Sequence, residues 1–170
     1  MITLKLAQQA LANGAENGPL LVQEAIAHAE QATAEVRELA HGILPSVLTH
    51  GGLRAGIDAL SSRAPVPVEI DVSVDRLPAP VEASAYFVVA EALTNVAKHS
   101  SAGHAEVVAR IENGTLRVEV RDDGVGGASP DGTGLVGLAD RLAVLDGRLE
   151  VDSPPGGGTL VAATLPLSAG

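Results

Sequence analysis

At 170 residues, the chain has room for one compact domain with an appendage and can bury a sizeable core. Its 21 acidic against 11 basic residues leave a formal charge of −10, which excludes nonspecific nucleic-acid binding because no excess of cations is present to displace counterions. With no Cys and no Trp, one Phe and one Tyr, disulfides and thiolate metal sites are excluded, and the core must be built from Ala, Val, Leu and Ile.

Residues 2–12, ITLKLAQQALA, carry apolar positions at helical spacing and end at Asn13-Gly14. A second helical pattern runs from about Pro19 to Gly42, so the two read as an antiparallel helical hairpin whose apolar stripe would seek a homodimeric partner. There is no run of about 18 apolar residues and no signal-peptide pattern, so a soluble, cytoplasmic domain is expected, of a protein either cytoplasmic or membrane-anchored. Pro45 breaks the pattern, and a connector leads to a short helix at about 52–63. The alternating stretch VPVEIDVSV at 66–74 predicts a half-buried strand, and RLPAP reads as a turn.

A long helix is expected next, over 86–99. Tyr86, Val89, Ala90, Leu93 and Val96 or Ala97 would form its apolar stripe, while Glu91, Asn95, Lys98 and His99 share another face. HAEVVARIE and TLRVEVRD then read as two strands joined by Asn113-Gly114, a tight-hairpin signal. DDGVGGASPDGTG at 122–134 reads as a mobile Gly-rich loop, LVGLADRLAVLDG as a helix, and the remainder as two strands around a Pro-Gly-rich turn. This order predicts an α+β fold, with a layer of helices on one face of a mixed, mostly antiparallel sheet.

Three glycine clusters follow the long helix: DDGVGG at 122–127, GTGLVG at 132–137 and GGGT at 156–159. GTGLVG matches G-x-G-x-x-G but follows a loop, not the strand of a βαβ unit, so the dinucleotide-binding reading fails its context. Gly132 and Gly134 would instead let backbone N–H groups approach phosphates at the start of a helix. Asp122, at a strand end, could accept a hydrogen bond from an exocyclic amine, and Gly124 and Gly126 would leave room for a flat base. Asn95 offers an amide oxygen to a hard cation such as Mg²⁺ that takes its other ligands from phosphates and water. Glu91 could polarise an attacking group, and Lys98 and His99 could meet phosphate oxygens.

EALTNVAKHS, DDGVGG, GTGLVGL and GGGT, in this order and spacing, resemble the N-box and glycine boxes of the Bergerat-type (GHKL) ATP-binding domain of sensor histidine kinases, ninety-kilodalton heat-shock chaperones, type II topoisomerases and mismatch-repair ATPases. RELAHGILPSVLTHGGLRAGIDAL and GLADRLAVLDGRLEVDSPPGGGTLV further resemble the nitrate- and oxygen-sensor-like branch of two-component histidine kinases. The resemblance implies a two-layer sandwich over residues 66–170, a connector with short helix at 45–65, and a truncated dimerisation hairpin at 1–44. It implies ATP and Mg²⁺ as ligands, with Asn95 on the metal, Glu91 assisting phosphoryl transfer, and Lys98 and His99 beside the phosphates. Asp122 would bind the adenine amine with Gly124 and Gly126 beside it. Gly132, Gly134 and Gly137 would shape the phosphate-covering lid, and Thr159 would lie near the nucleotide. A response regulator is the implied partner, with homodimerisation through the N-terminal helices.

One departure from the family stands out. No His-Asp pair of phosphoacceptor type occurs in ITLKLAQQALA, so the chain is expected to begin after the acceptor and to lack it. His41 lies in the connector motif LAHGILP and reads as structural, and His28 as a solvated residue. The competing readings are a protein serine kinase of the anti-sigma-factor type and a non-catalytic nucleotide-binding regulatory module.

Overall fold

The computed structural model describes Val22, residues 46–129 and residues 132–167, with the side chain of Thr133 left out. The chain divides into two compact units, Met1–Leu44 and Pro45–Gly170, and all but one of the described residues belong to the second. Apart from Val22, the expected hairpin helices at 2–12 and 19–42, with His28 and His41, lie outside the described residues.

The second unit runs α1 (Ser46–Ser61), β1 (Val68–Val72), α2 (Ala79–Asn95), β2 (Ala105–Glu112), β3 (Thr115–Asp122), α3 (Thr133–Ala143), β4 (Arg148–Asp152) and β5 (Thr159–Pro166). The five strands form one sheet in the order β1-β2-β3-β5-β4. Only β1 and β2 are parallel; the other three pairings are antiparallel, as expected of a mixed sheet. Asn113 and Gly114 both take positive φ, 51° and 76°, and close the β2–β3 hairpin in the tight two-residue form that Asn-Gly favours.

Alternation along the strands divides the two faces of the sheet. Val107 and Ala109 of β2, Leu116, Val118 and Val120 of β3, and Val161, Ala163 and Leu165 of β5 are buried on the helix side. Arg110, Arg117, Glu119 and Arg121 point the other way, where Arg110 pairs with Asp71 across the β1–β2 boundary and Arg117 pairs with Glu119. Leu48, Leu53 and Ile57 of α1 join the same apolar core.

Two helix boundaries differ from the sequence reading. α2 begins seven residues earlier than expected, at Ala79, because Pro80 occupies its first turn, where a missing N–H costs nothing and a fixed φ suits the helix. Its buried face is accordingly Val81, Ala85, Val88, Val89, Ala92, Leu93 and Val96; Tyr86 and Ala90 are half-buried and Ala97 is exposed. α1 is two helical pieces that meet at Gly52, whose backbone (φ 71°, ψ −173°) is not helical; the expected short helix at about 52–63 corresponds to the second piece, and the first adds residues 46–51. A Cβ at Gly52 would meet the Arg76 Cδ at 3.0 Å and the Glu82 Oε1 at 3.5 Å.

That contact marks the joint that holds the start of α2. Glu82 is 3% exposed. Its carboxylate accepts hydrogen bonds from Arg76 Nε (3.0 Å), Arg76 Nη2 (3.3 Å) and the Leu77 N–H (3.0 Å). A buried charge is tolerable only when its lone pairs are filled in this way.

Candidate nucleotide site

α2 ends in a π-helical turn, Val96–Ser100, followed by Ser101 in the left-handed region (φ 51°). Widening the last turn changes which groups stay in the helix layer. Glu91 and Asn95 remain half-buried on α2, while Lys98 and His99 lie exposed on the π turn. The polar groups expected on a single helical face are therefore split between α2 and its widened end. Ser100 is buried; its Oγ donates to the Val96 carbonyl (2.8 Å) and accepts from the Ala102 N–H (3.0 Å).

The end of β3 packs on this turn. Asp122, the last residue of β3, is 8% exposed and stands opposite Ala105 of β2 and Thr159 of β5. Side chains directly opposite across antiparallel strands share a face, so Asp122 and Thr159 are neighbours on the helix side of the sheet. The Gly124 N–H donates to Asp122 Oδ1 (2.8 Å), which orients the carboxylate. Asp123 is turned away and exposed, and its Oδ1 accepts from the Gly103 (2.8 Å) and His104 (2.9 Å) N–H groups. Those two backbone donors hold the Asp123 carboxyl below its ordinary pKa. Of the paired aspartates, only Asp122 is left facing the helix layer.

At the glycines after Asp122 the protein's own backbone leaves no room for a side chain. A Cβ on Gly124 would stand 2.3 Å from the Ser100 carbonyl oxygen, and one on Gly126 2.1 Å from the Pro154 carbonyl oxygen. Such closeness lets the Val125 N–H reach the Ser100 carbonyl (2.8 Å) and the Gly158 N–H reach the Gly124 carbonyl (3.0 Å). The end of α2, the loop after β3 and the β4–β5 turn are thereby bound into one unit.

The second glycine cluster lies at α3. Gly132 is its N-cap residue, with no side-chain cap, Gly134 is in its first turn, and Gly137 is exposed with open space beside it. A Cβ at Gly134 would stand 2.2 Å from Glu91 Oε1, so the Glu91 carboxylate lies directly against the first turn of α3. The structure thus brings Glu91 to Gly134 and Asp122 to Gly124 and Thr159, while Lys98 and His99 extend outward from the end of α2. Arg141 of α3 sits over the Phe87 ring of α2, 4.7 Å from its centroid, a cation–π contact between the two helices.

Two residues that the sequence reading gave no role tie the site together. Ser100 receives the loop after β3. Ser153 receives the segment beyond it, with the Gly127 N–H donating to its carbonyl (3.0 Å) and the Ala128 N–H to its Oγ (2.9 Å). The only local signal for Ser153 is a serine beside the turn-forming run PPGGG, which by itself marks a turn.

Among the described residues, no cluster of three or more His, Cys, Asp or Glu side chains could hold a metal ion. A divalent cation beside Asn95 would therefore draw on one amide oxygen and complete its shell from phosphate and water. That donor set suits Mg²⁺, which keeps several waters and prefers hard oxygen ligands.

Residues 81–169, more than half of the chain, match the family of histidine kinase-, DNA gyrase B- and HSP90-like ATPases. The sensor histidine kinase MctS of Rhizobium johnstonii is 31% identical over 94% of this chain and 37% of its own length. LiaS of Bacillus subtilis, also a sensor histidine kinase, is 31% identical over 82% of this chain and 41% of its own. The oxygen sensor histidine kinase NreB of Staphylococcus carnosus is 31% identical over 79% and 42%. The chain thus spans well under half the length of these relatives. Among solved structures, the histidine kinase domain of the blue-light-activated kinase from Erythrobacter litoralis EL346 superposes with a TM-score of 0.57 at 25% identity, covering 69% of this chain and 60% of that one. The histidine kinase AdeS of Acinetobacter baumannii shares the fold with a TM-score of 0.65 at 13% identity, over 98% of this chain and 96% of its own. With its five-stranded mixed sheet, one helix layer and glycine-tied loops, the chain belongs to the histidine kinase-, DNA gyrase B- and HSP90-like ATPase family, as an ATP-binding catalytic domain of the sensor histidine kinase kind.

Proposed function

We propose that this domain binds Mg-ATP between α2, the end of β3 and α3, and presents the γ-phosphate to a histidine on a dimerisation helix. The phosphoryl group then passes to an aspartate of a response regulator. The observation that carries the proposal is the joint between Asp122 and the end of α2. Through Gly124 and Ser100, the carboxylate suited to an exocyclic amine is held rigidly to the helix that carries Glu91 and Asn95.

In this reading Asp122 accepts from the adenine amine, with Thr159 beside it and Gly124 and Gly126 fixing the turn that aims it. Asn95 supplies the protein's oxygen ligand to Mg²⁺, whose contribution when bound is to neutralise phosphate charge. Lys98 and His99 meet phosphate oxygens from the π turn, and Gly132, Gly134 and Gly137 form the N-terminal part of α3 that covers the phosphates. Transfer breaks the bond between the γ-phosphorus and the oxygen it shares with ADP and forms a phosphorus–nitrogen bond on the acceptor imidazole. Glu91 takes the proton that the imidazole nitrogen loses. Because the transition state makes few covalent demands on the protein, positioning and charge neutralisation supply most of the acceleration. The homodimeric hairpin, the response regulator and a cytoplasmic setting belong to the same reading; among the described residues no helix is long and apolar enough to cross a membrane.

Titration with a fluorescent ATP analogue tests it. Asp122→Asn replaces one acceptor oxygen with a donor and is expected to weaken binding at least about tenfold, with or without Mg²⁺. Asn95→Ala is expected to remove the Mg²⁺-dependent part of the affinity while leaving the metal-free part in place. Unchanged binding by Asp122→Asn would overturn the assignment.

A further inference from the structure

Ser153 lies just beyond β4, in the turn leading to β5, outside every glycine cluster. One side chain there meets two segments that the proposed function uses separately. Its Oγ accepts the Ala128 N–H at 2.9 Å and stands 2.9 Å from Thr159 Oγ1, while its carbonyl accepts the Gly127 N–H at 3.0 Å. Gly127 and Ala128 are the root of the loop that leads to α3, and Thr159 is the β5 residue paired with Asp122.

A serine hydroxyl has one proton and two lone pairs. The Ala128 N–H occupies one lone pair, which restricts how the proton between Ser153 and Thr159 can lie. Either Ser153 donates to Thr159, or Thr159 donates to Ser153 while the Ser153 proton turns toward the Gly158 carbonyl at 3.5 Å, a long contact. In both arrangements the Thr159 hydroxyl is aimed by Ser153 and does not rotate freely.

We infer that Ser153 is a positioning residue of the nucleotide site, coupling the orientation of Thr159 at the base end to the docking of the loop root at Gly127–Ala128. Nucleotide held at Asp122 and Thr159 then also favours a docked loop, through one shared hydroxyl. The inference rests on the base-end reading of Asp122 and Thr159 given above. A serine that merely shapes a turn would alter stability without altering nucleotide affinity or its coupling to the loop.

The test combines ATP-analogue titration with amide hydrogen exchange on Ser153→Ala, Ser153→Thr, Thr159→Val, the Ser153→Ala/Thr159→Val double variant, and Asp122→Asn. Ser153→Ala is expected to weaken binding about tenfold and Ser153→Thr to stay within about twofold of the original chain. The double variant should be no weaker than the worse single variant, because both substitutions break the same hydroxyl pair. Exchange at the Ala128 amide should quicken in Ser153→Ala and also in Thr159→Val, which leaves Ser153 in place but frees its rotor. Native affinity in Ser153→Ala, additive losses in the double variant, or unchanged Ala128 exchange in Thr159→Val would each overturn the inference. The Thr159→Val arm stands even if Ser153→Ala fails to fold. Asp122→Asn separates the two readings: if it weakens binding and Ser153→Ala does not, only the role of Ser153 falls; if it does not and Ser153→Ala does, the base-end assignment falls.

Discussion

A side chain at Gly158 has nowhere to go: φ is 73°, and a Cβ would stand 2.1 Å from the Asp122 carbonyl oxygen. Gly158→Ala is expected to lower stability by about 2 kcal/mol, read as a shift of the urea midpoint at constant slope, and to weaken nucleotide binding by displacing Asp122. Asp123 bears on a different quantity. Its carboxyl is held below the ordinary value of 3.8 by the His104 and Gly103 N–H groups, so the folded state prefers it charged. That contribution is fully present above the unfolded value and is lost as pH falls through the lower, folded one. The stability gap between the original chain and Asp123→Asn should therefore hold from neutral pH down to the ordinary carboxylate range and narrow as pH falls below it; a constant gap would refute it. The adjacent aspartates thus do separate work, one bracing the entry to β2 and one facing the helix layer.

At the scale of elements, the start of α2 depends on an acid the sequence reading passed over. Glu82 is buried and joins Arg76 to the Leu77 N–H. Arg76 is 60% exposed, so water can replace its half of the ion pair; the buried Leu77 N–H cannot be compensated so readily. Glu82→Ala is expected to cost about 1–3 kcal/mol, mainly through that stranded donor, measurable by chemical denaturation. The strands were legible from local pattern. TLRVEVRD spans β3 from Thr115 to Asp122 as read, because period-two alternation and Asn113-Gly114 both act over a few residues. The N-terminus of α2 was not, since Pro78 and Pro80 suit a turn and a first helical turn equally well until the burial of Val81 and Ala85 decides between them. The π turn left even less trace: nothing in VAKHS departs from an ordinary helical sequence.

For the whole domain, binding and folding are linked. A ligand held only by the folded state stabilises it by about 2.7 kcal/mol at a concentration a hundredfold above its Kd. Mg-ATP at that level is expected to raise the thermal midpoint by roughly 10 °C, with the same concentration giving about half that rise in Asp122→Asn if its binding is about tenfold weaker. Equal rises in both proteins would place the nucleotide elsewhere. Most of the candidate site could be read from residue types: a carboxylate, an amide and basic groups near the end of one helix, then glycine clusters in a fixed order. Which backbone groups those glycines admit could not: the Ser100 carbonyl lies against Gly124 and the Pro154 carbonyl against Gly126.

The sequence by itself determined the order of helices and strands, the β2–β3 hairpin and the identity of the polar groups, because each follows from interactions among residues close along the chain. Only the tertiary structure decided that β5 lies between β3 and β4, and that strand order sets Thr159 opposite Asp122. It also decided that Ser153 meets Ala128 across 25 positions of chain and that Gly134 makes room for Glu91. Those meetings depend on which surfaces bury one another, and no local periodicity carries that information.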